Sequence, residues 1–103
     1  MPAASAHPAG TTGHENWPPT VSQSGYSNNV FINGKPAIKA GASFVPHSKP
    51  GDNPQTHPPV LEGGSSTVFI NGGNAGRIGD DLACDHGSGD AIAEGSTNVF
   101  IGG

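Results

Sequence analysis

Basic residues, cysteine and long apolar runs are all scarce in this chain of 103 residues. No stretch approaches the ~20 consecutive apolar residues of a membrane-spanning helix, so no span is expected. Four Lys and Arg stand against eight Asp and Glu, for a net charge of −4. That balance lacks the basic footprint that a phosphate backbone requires and argues against nucleic acid as a partner. A single Cys cannot form an internal disulfide. Met1-Pro2-Ala3-Ala4-Ser5 has neither a basic nor an apolar leader segment, so no signal peptide is read there. Large apolar side chains are also few: Val, Ile, Leu and Phe together number 18. Ordering a chain costs on the order of 1.5 kcal/mol per residue, and so thin a core offsets that poorly. The composition implies either disorder or a stabiliser other than burial.

Glycine (17) and proline (10) are abundant, which without a period would signal disorder. A period is present. Asn29-Val30-Phe31-Ile32-Asn33-Gly34 recurs as Thr67-Val68-Phe69-Ile70-Asn71-Gly72 and as Asn98-Val99-Phe100-Ile101-Gly102-Gly103. Gly and Ser precede each copy, and Ala37, Lys39 and Gly41 match Ala75, Arg77 and Gly79. Val-Phe-Ile between turn residues reads as a short strand, and Asn-Gly after it as a hairpin turn, because both residues tolerate positive φ. Return strands follow at 35–39 and 73–78, with Pro36 marking an edge. Pro59-Val60-Leu61 and Ala91-Ile92-Ala93 offer further strands. No segment shows capped helical periodicity. The predicted fold is all-β: a small conical domain of three hairpin-like repeats (29–34, 67–72, 98–103) with pseudo-threefold symmetry. Residues 13–103 form the domain, its end pinned in place, and residues 1–12 a flexible or loosely docked segment.

The segments between the repeats hold the candidate metal ligands His14, His47, His57, Cys84 and His86, with His7 in the N-terminal segment. Imidazole and thiolate suit Zn²⁺, and four such donors close a structural site. The spacing is not that of a zinc finger, and solvated histidines with a buried apolar Cys are the bland alternative. A structural Zn²⁺ contributes on the order of 10–16 kcal/mol coupled to folding, enough to hold hairpins that cannot bury themselves. Asp80, Asp81, Asp85 and Asp90 flank Cys84 but lack the spacing of a Ca²⁺ loop. Catalysis finds little support: there is no nucleophile elbow and no phosphate loop, and Glu15, Glu62 and Glu94 are the Glu residues that could act as base.

Gly13-His14 with Pro18-Pro19, Ser27 to Gly34, Gly64 to Gly72, Arg77-Ile78-Gly79-Asp80 with Cys84, and Gly95 to Gly102 occur in that order. In this succession the chain resembles the PAAR-repeat family, small cones that cap the spikes of contractile phage tails and type VI secretion systems. It departs at the tetrapeptide that names the family, which aligns with Lys35-Pro36-Ala37-Ile38 and Gly73-Asn74-Ala75-Gly76-Arg77. The resemblance implies a non-enzymatic tip with an apical Zn²⁺, or Fe, held by His14, His47, His57 and Cys84, His86 being the rival ligand. It implies that one tip sits on a trimeric β-helical spike of the VgrG or phage tail-hub type and touches the target membrane transiently. Effector cargo would be a separate protein. The location would be a virion tail tip, or the cytoplasm before assembly and injection. Competing readings are a small zinc-dependent hydrolase and a stand-alone metal-binding β-repeat protein.

Overall fold

The computed structural model describes residues 1–14, 17–48, 56–83 and 89–102, with the backbone alone described at 48, 56 and 57. Its strands are short: β1 (Ser22–Ser24), β2 (Phe31–Ile32), β3 (Lys35–Pro36), β4 (Ser43–Phe44), β5 (His47–Ser48), β6 (Thr56–His57), β7 (Val60–Leu61), β8 (Phe69–Ile70), β9 (Gly73–Asn74) and β10 (Leu82–Ala83). No helix occurs among the described residues, so the all-β expectation holds. The molecule is elongated, about 42 by 24 by 23 Å.

Both predicted hairpins form. β2 pairs with β3 and β8 with β9, both antiparallel. Asn33-Gly34 and Asn71-Gly72 occupy the turns with φ of 53° and 80°, and 51° and 81°, the doubly positive φ pattern that matches strand twist. The third hairpin was legible only in part. Phe100 pairs with Ala3, in the same relation as Phe31 to Pro36 and Phe69 to Asn74. The N-terminal segment therefore supplies the return strand of the third unit.

Three sets of hydrogen bonds repeat this relation around the axis. Ala37, Ala75 and Ala4 donate to the carbonyls of Val30, Val68 and Val99, each at 2.9 Å. Ser27, Ser65 and Ser96 donate to the carbonyls of Ala37, Ala75 and Ala4 at 2.8, 2.8 and 2.7 Å. Between units, Ser5 donates to Gly76, Gly76 to Ile38 and Ile38 to Ser5, at 3.0, 2.9 and 3.0 Å. The last set is a closed backbone ring. It requires Gly76, because a Cβ there would lie 2.8 Å from Ile38 Cγ2 and 2.9 Å from Leu61 Cδ2.

The first twelve residues thus differ from the expected flexible or loosely docked segment. Ala4, Ser5, Ala9 and Thr11 are buried. His7 stacks on Tyr26 with ring centroids 4.2 Å apart, and its Nδ1 lies 2.7 Å from Ser22 Oγ. The physical reason is the ring itself: without these residues the third unit has no partner for its backbone groups.

Away from the hairpins, β1, β4, β7 and β10 form a sheet in that order, each antiparallel to its neighbour. Single bridges continue it: Asp81 to Ala91, Ile92 to Thr11, and Gly10 to Val21. The sheet closes on itself, which leaves few exposed edges.

The core has two tiers. In the hairpin tier, Ile32, Ile70 and Ile101 meet Ala37, Ala75 and Ala4. In the sheet tier, Ala9, Ile38, Ala42, Phe44, Leu61, Leu82 and Ile92 pack together with Tyr26 against them. The alternation within Val-Phe-Ile is now assigned: Ile points inward, while Phe31, Phe69 and Phe100 are 57%, 58% and 52% exposed.

Candidate metal centre

The closed sheet decides where the loops go. β1 and β7 run away from segments 11–21 and 45–59, and β4 and β10 run toward 45–59 and 84–89. The described ends of these segments therefore lie at one end of the sheet, and the hairpins project from the other. The sequence spreads the candidate ligands over most of its length, and among the described residues the topology brings His14 and His47 together.

His14 sits in a tight reversal. Its N–H donates to the Trp17 carbonyl at 3.1 Å, and the Trp17 N–H donates back at 2.8 Å. The indole stacks on the imidazole, with centroids 5.0 Å apart. Trp17 is thus a packing residue that orients a candidate ligand. Gly13 enters the reversal at φ +73°, where a Cβ would lie 2.8 Å from the Trp17 carbonyl oxygen.

His47 opens β5 and is buried. Its Nδ1 lies 2.7 Å from the Pro18 carbonyl oxygen. A carbonyl only accepts, so Nδ1 carries the proton and the lone pair is on Nε2. That is how a metal-binding imidazole is set up: one nitrogen fixed by a backbone acceptor, the other basic. The rings of His14 and His47 lie 5.1 Å apart.

Asp90 completes the cluster. Ligating atoms of His14, His47 and Asp90 all lie within 4.8 Å of one another, and all three residues are buried. Asp90 Oδ1 accepts the N–H groups of Gly13 and Ala91, each at 3.0 Å. Two imidazoles and a carboxylate, held this close and away from water, fit a Zn²⁺ or Fe²⁺ ion in donor type. His57 is the register partner of His47 across the β5–β6 pair, which places its backbone at the same site. Cys84 and His86 lie outside the described residues. In the sequence Asp90 is one of several carboxylates that lack the spacing of a Ca²⁺ loop; its place depends on a contact with Gly13 across 77 positions.

Two other polar features lie outside this cluster. Arg77 forms a fork on Asp80, with Nε to Oδ2 at 3.1 Å and Nη2 to Oδ1 at 2.9 Å. The hydrogen bond to Asp80 raises the Arg77 pKa above its ordinary value, with burial opposing and the charge of Asp80 adding to it. The pair closes the turn 77–80, whose Gly79 has φ +86°. A cavity of about 210 Å³ touches Pro8, Asn33, Lys35, Glu94 and Ser96. It includes none of the cluster residues, and Glu94 Oε1 there already accepts the Gly10 N–H at 2.6 Å.

A closed all-β ring of three hairpin units, with a buried His-His-Asp cluster at the far end of its sheet, defines a small β-repeat domain equipped to bind a metal. Residues 50–103 match the PAAR motif family, and the chain belongs to that family. It is 40% identical over 80 residues to the NAD(P)(+) glycohydrolase toxin Tse6 of Pseudomonas aeruginosa PAO1, covering 75% of this chain and 18% of that protein. It is equally similar to the (p)ppApp synthetase toxin Tas1 of Pseudomonas aeruginosa UCBPP-PA14, covering 75% of this chain and 17% of that one. The chain thus spans less than a fifth of the length of these relatives.

Proposed function

We propose that this chain is a non-enzymatic tip that caps the trimeric β-helical spike of a contractile injection machine of the type VI secretion kind. The observation that carries the reading is the closed pseudo-threefold ring. It presents Phe31, Phe69 and Phe100 at equivalent positions, each more than half exposed. Exposed aromatics repeated around one axis suit a partner with true threefold symmetry, of the VgrG or phage-hub type. The opposite end, carrying the buried cluster, faces the target membrane for transient contact.

A bound Zn²⁺, or Fe²⁺, stiffens that end. His14 and His47 are two of its ligands. His57 and Cys84 are the further donors that the family resemblance assigns, with His86 the rival for a histidine place. When bound, the ion supplies cross-linking of three loops and no chemistry on a substrate. The residues of this chain do the orienting: Trp17 holds the His14 ring, and the Pro18 carbonyl fixes the His47 tautomer.

The two relatives are named as toxins, and the shared region is a small part of each. Their enzymatic activities belong to the remaining length, and the tip serves as the part that seats cargo on the spike. Assembly precedes secretion, so the protein passes from the cytoplasm into the target with the spike.

The test is capture by a purified trimeric spike protein, read by native mass spectrometry. One tip per trimer is expected, and a Phe31→Ser, Phe69→Ser, Phe100→Ser triple variant should lose it. A folded wild-type tip that leaves the trimer bare contradicts the reading.

A further inference from the structure

We infer that the cavity between the third and first units is a receptor for one arginine side chain, offered by the protein that seats on the hairpin end. The inference rests on the docking side proposed above and is independent of the metal.

The symmetry of the ring leads to it. His7, Ala40 and Ile78 donate to the carbonyls of Pro36, Asn74 and Ala3 at 2.8, 2.8 and 2.9 Å. The residue before each of them bridges to the next unit: Ala6 to Ala37, Lys39 to Ala75 and Arg77 to Ala4. Ala6, Lys39 and Arg77 therefore hold one position, once in each seam of the ring.

Between the second and third units that position is filled. The Arg77 side chain is 13% exposed. It forks on Asp80, and its Nη1 lies 3.4 Å from the Gly102 carbonyl oxygen. Between the first and second units Lys39 supplies a long, half-buried cationic side chain. Between the third and first units the side chain is a methyl, and there the cavity of about 210 Å³ opens, with Ala6 in its wall. Asn33, the counterpart of Gly102, also lines it.

The acid of the fork is displaced as well. Ala9 stands where Asp80 does, since their carbonyls take the N–H groups of Ser22 and Ile92. Glu94 brings a carboxylate to the same cavity instead. Its Oε1 holds the Gly10 N–H, and among the described residues it forms no ion pair. A planar, weakly hydrated guanidinium with five donors suits such a place, as Arg77 does in the related seam.

Size and position name the occupant. Small-molecule sites run to ~300–1,000 Å³; this cavity is smaller and fits a single side chain. Ile32, Asn33 and Lys35 of the first hairpin line it, so it belongs to the hairpin end. Arginine is enriched among the residues that carry binding energy at interfaces. Lys35 is exposed, and its flexible stem lets the ammonium stay in water.

Titration of the wild-type protein with Nα-acetyl-L-arginine methylamide, followed by backbone amide NMR, tests the receptor. Saturable shifts should centre on Ala6, Asn33, Glu94 and Ser96. No saturable shift there, as when Lys35 itself fills the cavity, overturns the inference, and so does equal affinity for the norleucine analogue. Glu94→Gln keeps an acceptor for Gly10 and removes the charge; probe affinity should fall about 3-fold, and unchanged affinity overturns the inference. Ala6→Arg fills the cavity from within. It should lose the probe and weaken capture by the trimeric spike at least ~10-fold, and unchanged capture overturns the partner's arginine. A wild-type tip that the trimer does not capture overturns the docking reading instead, while the probe titration still reports on the cavity.

Discussion

The side-chain amide of Asn71 grips the unit before it: Nδ2 donates to Asn29 Oδ1 at 2.8 Å, and Oδ1 accepts from Ser27 Oγ at 2.6 Å. The same relation carries the third unit onto the first, where Asn33 Nδ2 donates to Asn98 Oδ1 at 2.7 Å and to Ser96 Oγ at 2.8 Å. Between the second and third units the Asn position is Gly102, and Ser65 Oγ donates to its carbonyl at 2.6 Å instead. Each Ser also accepts the N–H of the following Val, at 2.9 to 3.0 Å. The turn residues are therefore the clasps of a head-to-tail ring as well as holders of positive φ.

Asn71 separates these two duties. Asn71→Gly keeps the left-handed turn and loses the clasp, so it should cost about 1 kcal/mol. Asn71→Ala loses the clasp and also strains the backbone at φ 51°, adding about 1 kcal/mol more. Chemical denaturation of both variants checks the order; an Asn71→Gly variant as stable as the wild type would mean that the interunit bonds do not matter, and equal stabilities of the two variants that the left-handed backbone does not.

Gly76 lies where two units approach. A Cβ there meets Ile38 and Leu61 inside 3 Å, and overpacking of this kind costs about 1–3 kcal/mol. Gly76→Ala should lower the melting temperature accordingly, while Gly34→Ala, with nothing within 4 Å of its Cβ, pays for backbone strain alone at φ 80°.

Removal of residues 1–7 should unfold the third unit. It deletes the partner of Phe100 and one member of the backbone ring through Ser5, Gly76 and Ile38. His7→Ala should produce a milder loss, on the order of 0.5–1.5 kcal/mol, because it removes the Tyr26 stack and the Ser22 contact. Melting of the truncated chain at the wild-type temperature would contradict this.

Much of this architecture was readable from the residues. Val-Phe-Ile followed by Asn-Gly carries a strand and its turn in a few positions, so the first two hairpins were legible. Pro2-Ala3-Ala4 carries no β-branched or aromatic signal, and its partner Phe100 lies at the far end of the chain. No local rule connects them; the ring does. Within the buried cluster, His14 and His47 were legible because five histidines stand out in a chain with four Lys and Arg. Asp90 was not, since one carboxylate among several gains its meaning from burial and from the Gly13 N–H, both products of the folded chain.

Cys84→Ser should lower the bound metal below one ion per chain, because a serine hydroxyl is a far weaker donor for Zn²⁺ than a thiolate. Metal analysis of the purified variant checks it, and full stoichiometry would remove Cys84 from the ligand set.

The most direct measurement is thermal unfolding of the purified protein before and after stripping by a chelator, with metal content determined on the same samples. A structural ion contributing on the order of 10 kcal/mol, at about 4–8 °C per kcal/mol for a chain of this size, should lower the melting temperature by more than about 20 °C when removed. One equivalent of Zn²⁺ or Fe²⁺ in the native sample, with that drop reversed on reloading, is the predicted result. A metal-free protein that stays folded and melts at the native temperature would contradict it.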